Sequence, residues 1–490
     1  MATNGDQSDH LCRVITELQK SSMFLEMRAD LQIKMAINGD QSDHLCRIIA
    51  ELQKSSMFLE MRADLQKEIG KPHIHFSDMK QSIVNYLRDS GWEINWEKRI
   101  VKSINTMCTE LSLPLARERS STDRAHMASK FEILGGELDE KEMEKIKPVY
   151  APKDFFEFYQ GLGLNQGSAT HKISPRNAYK ELDAANLHSG VDDALLESSS
   201  TDSFPAEWNK LGRKVIQQGS ALAARQYAKY GCPPGLRKDL WKLILCYEVD
   251  DVDRLYFQQL KQYVIDYDML VDSLITKDIK LTASNDDNYF VFEDVLCQAL
   301  LVFSRDTSVL KHFDQSSATP PKSYIRGFIP FHGFSLYAAP LGFVCSHAPH
   351  LYYLFKQIYT RYFFRLHTIS SHPQGILTLC VLFENLLQTH EPALFYHLKE
   401  VGAHPLRLAF NWLIYAFAGY LDTEQLLLLW DRIFAYDSME LLAVLAMAIL
   451  SYRRANLLEV TNLQAAQTVL ADLSTLNTVA LLQYVLFLKQ

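Results

Sequence analysis

Leu426-Leu-Leu-Leu429-Trp430-Asp431-Arg432-Ile433-Phe434 is a run of large apolar residues with one acid and one base set into it. The run continues through Leu441-Leu442 to Ile449-Leu450, broken again by Asp437 and Glu440. A bilayer span needs roughly 20 apolar residues in a row, and no stretch here supplies them. The alternative is a buried helix pair in a globular core. Trp430, beside Asp431 on a helix whose neighbours are almost all apolar, is then expected inside.

Reading outward from that run, the half of the chain from Trp208 onward is a succession of long apolar-periodic segments with short polar breaks, and little in it alternates with period two. The expected class is all-α. Gly231-Cys-Pro-Pro-Gly-Leu236-Arg237-Lys-Asp-Leu-Trp241-Lys-Leu-Ile-Leu245 opens this half with a turn that delivers a helix start. Trp241, Ile244 and Leu245 make one face of that helix, and Arg237, four residues before Trp241, lies next to it. The segment 253–276 reads as one continuous helix and 333–345 as another. Residues 306–328, which carry Ser316-Ser-Ala-Thr-Pro320-Pro321, read as a long loop.

The N-terminal half is different. Met1 to Gln32 recurs as Met35 to Gln66, with only Thr3/Ile37, Val14/Ile48 and Thr16/Ala50 differing. Each copy has helical periodicity, but two nearly identical copies are too few and too alike for a solenoid, and a recent duplication accounts for them. Residues 82–113 read as helical with Pro114 closing them, 117–146 as charge-rich and irregular, and 168–205 as polar, with a linker at Ser198-Ser-Ser-Thr-Asp. The expected organisation is a tandem repeat at 1–66, a helical region at 67–204 ending in a linker, a main domain at 229–456, and helices at 457–490 packed on that domain.

The 490 residues carry a net charge of −8, 48% hydrophobic and 11% aromatic content, enough for a sizeable core. That balance and the absence of a dense Lys/Arg run argue against nucleic acid as the partner. Eight cysteines without a C-x-x-C pair, and a polar start, point to a reducing, cytoplasmic setting. Cys345, His347 and His350 are ligand types, as are His73 and His75, but neither group completes a ligand set, so no metal is expected. His367 and His372 read as packing or capping residues. No phosphate-cradling glycine motif is present, and the chain is expected to bind no nucleotide or cofactor of its own.

Four blocks, in order over about 220 residues, carry a resemblance. They are the opening block at 231–245, then Ile275-Thr-Lys-Asp278-Ile-Lys280-Leu281-Thr282, then Pro330-Phe331-His332-Gly333-Phe334, and a closing block from Glu391 through Pro405, Phe410 and Trp412 to Leu429-Trp430-Asp431. Together they resemble TBC domains, the GTPase-activating modules for Rab proteins. Stretches outside the domain, Trp96 to Arg117 and Pro148 to Asp154, also resemble a member of that family.

The resemblance implies an all-helical TBC domain behind a helical N-terminal region, and a GTP-bound Rab as partner. It also implies recruitment to intracellular membranes through that Rab, in the service of vesicle trafficking. Its second block is similar to I-x-x-D-x-x-R-T, so Leu281 stands at the family's catalytic arginine. Its third is similar to Y-x-Q-G-M, so His332 stands at the catalytic glutamine. Asp278 is the motif aspartate, expected to anchor the loop that carries the arginine. Lys280, Thr282 and Gly333 fall at motif positions facing the Rab, while Arg237, Trp241, Trp430 and Asp431 are its structural positions.

The chemistry sets the stakes. An arginine given in trans neutralises charge on the transferring phosphoryl group, and a glutamine amide orients the attacking water. Leu281 offers neither charge nor hydrogen bond. Lys280 points elsewhere and lacks the planar fork of arginine. His332 can hydrogen-bond a water, but from a stiffer ring. Two readings follow: a GTPase activator acting in trans with weakened catalytic positions, or a catalytically silent Rab-binding module or scaffold.

Overall fold

The computed structural model describes residues 92–111, 114–133, 146–161, 175–184, 187–188, 203–285, 289–314, 328–367 and 374–488. The tandem repeat at 1–66, the linker at 198–202, the loop residues 315–327 and the histidines His73, His75 and His372 lie outside them. The chain divides into two compact units. One comprises Met1–Gly91 and Glu157–His171, of which only 157–161 are described. The other, Trp92–Phe156 with Lys172–Gln490, holds everything below except the last five residues of the helix Pro152–Gly161.

Helices dominate this unit. Before the main domain come α1 (Trp92–Leu111), α2 (Ser121–Ile133), α3 (Pro152–Gly161) and α4 (Ser203–Gln218). After α5 (Ala221–Ala228), the segment expected as the main domain opens with α6 (Pro234–Leu245), α7 (Asp251–Asp266), α8 (Leu270–Asn285), α9 (Glu293–Arg305) and α10 (Thr307–Asp314). It continues with α11 (Ala348–Arg361), α12 (Ile376–His390), α13 (Pro392–Glu400), α14 (Pro405–Ile414), α15 (Thr423–Tyr436) and α16 (Glu440–Tyr452). Short helices follow: α17 (Arg454–Leu457), α18 (Leu463–Val469) and α19 (Thr478–Gln483), the last packed on α15 and α16. The class is all-α; among the described residues the only strands are β1 (Ala116–Glu118) and β2 (Tyr267–Met269), three residues each.

The core forms where the quoted run predicted. Every residue from Leu441 to Ser451 on α16 is buried, as expected of a helix apolar all round. Trp430 is fully buried; its Nε1 donates to the Ala416 carbonyl at 3.0 Å and its ring lies 4.8 Å from that of Phe363. Asp431 has its partners on α6: Arg237 Nε donates to it at 3.1 Å and Trp241 Nε1 at 2.7 Å, while the Cys232 N–H donates at 3.0 Å. The opening turn works as the sequence suggests, with Pro234 at the first helical position. Gly231 has φ +103°, and a Cβ there would meet the His188 carbonyl at 2.8 Å, so the turn requires glycine.

Several expectations need correcting. The segment 253–276 is not one helix: β2 interrupts it and pairs antiparallel with β1, Ala116 opposite Met269 and Glu118 opposite Tyr267. Charge decides this, since Asp268 on β2 receives Arg117 Nε at 2.8 Å and Arg119 Nη2 at 3.1 Å. Residues 117–146 are not irregular throughout, for α2 forms there, with the Ser120 hydroxyl accepting the Asp123 N–H at 3.2 Å. The loop expected at 306–328 begins as helix α10, because Asp306 accepts the Ser308 N–H at 2.8 Å and caps it. Within the polar stretch 168–205, a 3-10 helix at Pro175–Asp183 buries Tyr179 and Leu182. Residues 333–345 form two 3-10 turns, Phe334–Tyr337 and Ala339–Phe343, in place of a helix.

Candidate functional site

Helix α8 carries the second motif whole. Positions three and four apart share a face, so Asp278 and Thr282 point one way, and Lys277 and Leu281 lie beside them on an adjoining stripe. Asp278 and Thr282 are buried; Lys280 and Leu281 are half-buried. Lys280 turns toward α9, close enough for its charge to act on the Cys297 thiol.

The Asp278 carboxylate does not hold its own helix. It reaches across to the turn after His332, where Oδ1 accepts the Gly333 N–H at 2.6 Å. Oδ2 accepts the Ser335 N–H and the Ser335 hydroxyl, both at 2.7 Å. Thr282 completes the latch through its hydroxyl, 2.7 Å from that of Ser335. Burial pushes the Asp278 carboxyl above the ordinary aspartate value, against these three donors and the neighbouring His332 ring, which favour the anion. The aspartate expected to anchor the arginine-position loop therefore anchors the glutamine-position turn, while Leu281 rides on the helix one turn from Asp278.

His332 is exposed, but its backbone is fixed at both ends: the N–H donates to the Tyr150 carbonyl at 2.9 Å, and the carbonyl accepts the Tyr415 hydroxyl at 3.0 Å. Gly333 sits at φ +85°, where a Cβ would lie 2.3 Å from the Tyr415 ring, so only glycine lets the turn pass. Behind it Phe331 is buried and stacked on His367 with ring centroids 4.3 Å apart. Burial keeps His367 neutral, its pKa pushed down to about 3. It packs, as its sequence context suggested.

Ser335, Tyr150, Tyr415 and Lys277 went unnoticed in the sequence. Ser335 had a faint signal: a buried motif aspartate must find donors, and a hydroxyl two residues past the motif glycine is a natural one. Tyr150 and Tyr415 lie far from both motifs; the stretch Pro148 to Asp154 around Tyr150 carried a family resemblance but no sign of a link to the site. Arg237, Trp241 and Asp431 form a separate cluster bonded to one another, while Trp430 donates to the Ala416 carbonyl. Among the described residues no group of three or more His, Cys, Asp or Glu could hold a metal, and no helix is long and apolar enough to cross a membrane.

Comparison with known proteins covers the stretch that carries this site. The model of the Rab-GTPase-TBC domain matches residues 234–458. TBC1 domain family member 19 of Homo sapiens is 49% identical over 443 residues, covering 84% of this chain and 83% of that protein. The chain belongs to the Rab-GTPase-TBC domain family. A more distant relative, the GTPase-activating protein GYP5 of Saccharomyces cerevisiae, is 24% identical over 237 residues, 47% of this chain and 23% of its own. The crystal structure of the Chlamydomonas flagellar RabGAP TBC domain aligns at a TM-score of 0.41 and 15% identity. It covers 65% of this chain and 98% of that one, a likeness too loose to bear on the fold. In this chain the latch from α8 to the Gly333 turn has Leu281 on its helix side and His332 on its turn side.

Proposed function

We propose that the protein regulates a Rab-type small GTPase by docking its GTP-bound form on a TBC domain at 229–456, with little or no acceleration of hydrolysis. The observation that carries this is the latch itself. Asp278 ties α8 to the turn behind His332 by three hydrogen bonds, which supports reading the two elements as one frame for a pair of catalytic positions. The side chains it presents are a leucine and a histidine. A Rab supplies its own phosphate loop and Mg²⁺, so what an activator adds is a trans charge and an oriented water. Leu281 adds no charge, and an exposed imidazole is a modest substitute for an amide.

Lys280, Thr282 and Gly333 serve this frame in different ways: Thr282 and Gly333 within the latch, Lys280 alongside α9 where its charge is half-shielded. The Rab would bring the protein to the membrane on which the Rab itself resides, placing it in vesicle trafficking. The test is single-turnover hydrolysis across a panel of purified Rabs, paired with retention of Rabs loaded with a non-hydrolysable GTP analogue. Retention of one or a few loaded Rabs without faster hydrolysis is the expected result. Strong stimulation lost in His332→Ala would instead make the protein an activator that uses histidine. Retention of none would remove Rabs from the account.

A further inference from the structure

On α8, Leu270, Leu274, Lys277 and Leu281 recur at spacings of four, three and four residues and form one stripe along the helix. The first three are already covered, and by residues that precede the domain. Leu270 and Leu274 are buried in a single apolar cluster with Ile104 and Met107 of α1 and with Ile146. Lys277 Nζ donates to the Ile146 carbonyl at 2.6 Å. Four residues later in that segment, the Tyr150 carbonyl accepts the His332 N–H at 2.9 Å, and the Tyr150 ring packs 6.0 Å from that of Phe331. One short stretch, 146–151, thus grips both the helix that carries Leu281 and the turn that carries His332. The family match begins only at 234.

We propose that Ile146–Ala151, backed by α1, is a positioning element for the candidate site, and that the face a Rab meets is a composite of this N-terminal segment and the TBC domain. The proposal rests on the function proposed above. The Asp278 latch fixes the Gly333 side of the turn to α8, and the Tyr150 carbonyl fixes the His332 side. With either hold released, His332 swings relative to Leu281. Between them the two holds set the separation of the positions that would flank a docked nucleotide. Lys277 is the residue through which α8 senses the segment, because its ammonium donates from the helix to the Ile146 carbonyl. The ion pairs of Arg119 with Asp268 and Asp272, at 3.1 and 3.6 Å, hold the same region at the other end of the stripe.

The experiment uses the full chain and two independent perturbations. Lys277→Met keeps the alkyl stem and removes the donor, with Lys277→Arg as the conservative control that restores one. Ile104→Ala with Met107→Ala loosens α1 against α8 without changing any residue of α8. Hydrogen exchange is read at the His332 and Gly333 amides and on α16. Affinity is read against Rabs loaded with a non-hydrolysable GTP analogue. Both perturbations are expected to speed His332 exchange by about tenfold while leaving α16 unchanged, and to weaken Rab binding, with Lys277→Arg near wild type. Unchanged His332 exchange in both perturbations overturns the proposal. So does faster exchange with undiminished affinity, which would make the segment a cover and not a part of the face. If the wild-type chain retains no Rab, the function proposed above fails, and the exchange result with its arginine rescue decides this inference alone.

Discussion

Asp278 and Gly333 stand 55 residues apart in the chain and 2.6 Å apart in the fold, carboxylate oxygen to amide nitrogen. Because both are buried, removing the acceptor strands its donors without water to replace it. Asp278→Ala should cost about 3 kcal/mol of stability, and Ser335→Ala about 1 kcal/mol, since each buried unsatisfied polar group costs about 1–3 kcal/mol. Urea unfolding of the two variants checks this. Asp278→Ala within about 0.5 kcal/mol of wild type would mean that the turn holds without its latch.

Restoring the chemistry is the sharpest test of the empty positions. Leu281→Arg together with His332→Gln should raise single-turnover hydrolysis on any Rab the protein retains, by at least about tenfold, because it supplies a trans charge and a water-orienting amide. Each single change should do less than the pair. No gain from the double variant, with binding intact, would show that the frame no longer presents these side chains to the nucleotide.

The Asp431 cluster makes a stability prediction of another kind. Asp431→Ala leaves Arg237 buried with its charge unpaired, and should cost about 3–5 kcal/mol. Trp430→Ala, next to it, should cost a similar amount, about 3–5 kcal/mol, for the cavity alone. Thermal unfolding separates the two when Arg237→Met is added. The methionine should recover much of the Asp431→Ala loss, because it removes the stranded cation, and should recover none of the Trp430→Ala loss.

Acid should destabilise the protein in two stages. His367 takes up a proton near its ordinary pKa of 6.5 once unfolded, but in the fold its pKa is pushed down to about 3 by burial. The unfolded state therefore binds the extra proton as pH falls between those values, and stability drops by up to about 1.4 kcal/mol per pH unit. His350 and His404 are lowered as well, by burial and by neighbouring cations, and act in the same direction. Asp306 behaves otherwise: burial would raise its pKa, but hydrogen bonds from Lys356 and Tyr352 outweigh that and hold it below the ordinary 3.8. Its contribution is intact above that value and is lost only as pH falls through it. Denaturation midpoints from pH 7 to 3 should show a first decline starting near pH 6.5. In His367→Phe that first decline should be shallower, and an unchanged slope would place the titrating group elsewhere.

Much of the fold was legible because its signals are local. The apolar run around Trp430, the proline-led start of α6 and the pairing of Arg237 with Trp241 all follow from spacing along one helix. What could not be read was set by partners distant in sequence. The break in 253–276 depends on Asp268 meeting Arg117 and Arg119, about 150 residues earlier. The capped start of α10 depends on Asp306, which looked like one more polar loop residue. At the site, the motif aspartate was visible but its target was not, since the donors at Gly333 and Ser335 come from another part of the chain. Tyr150 offered least of all, as it acts through a backbone carbonyl that any residue would have.

The cluster of Arg237, Trp241 and Asp431 also has a consequence in time. Asp431 lies 194 residues after Arg237. At synthesis rates of about 5–20 residues per second, a ribosome needs roughly 10–40 s to cover that distance. For most of that interval α6 is out of the tunnel with its guanidinium and indole still waiting for the carboxylate that pairs both. The domain cannot close from its beginning, and an mRNA cut short anywhere before residue 431 yields a chain that keeps its first helix sticky for as long as it lasts.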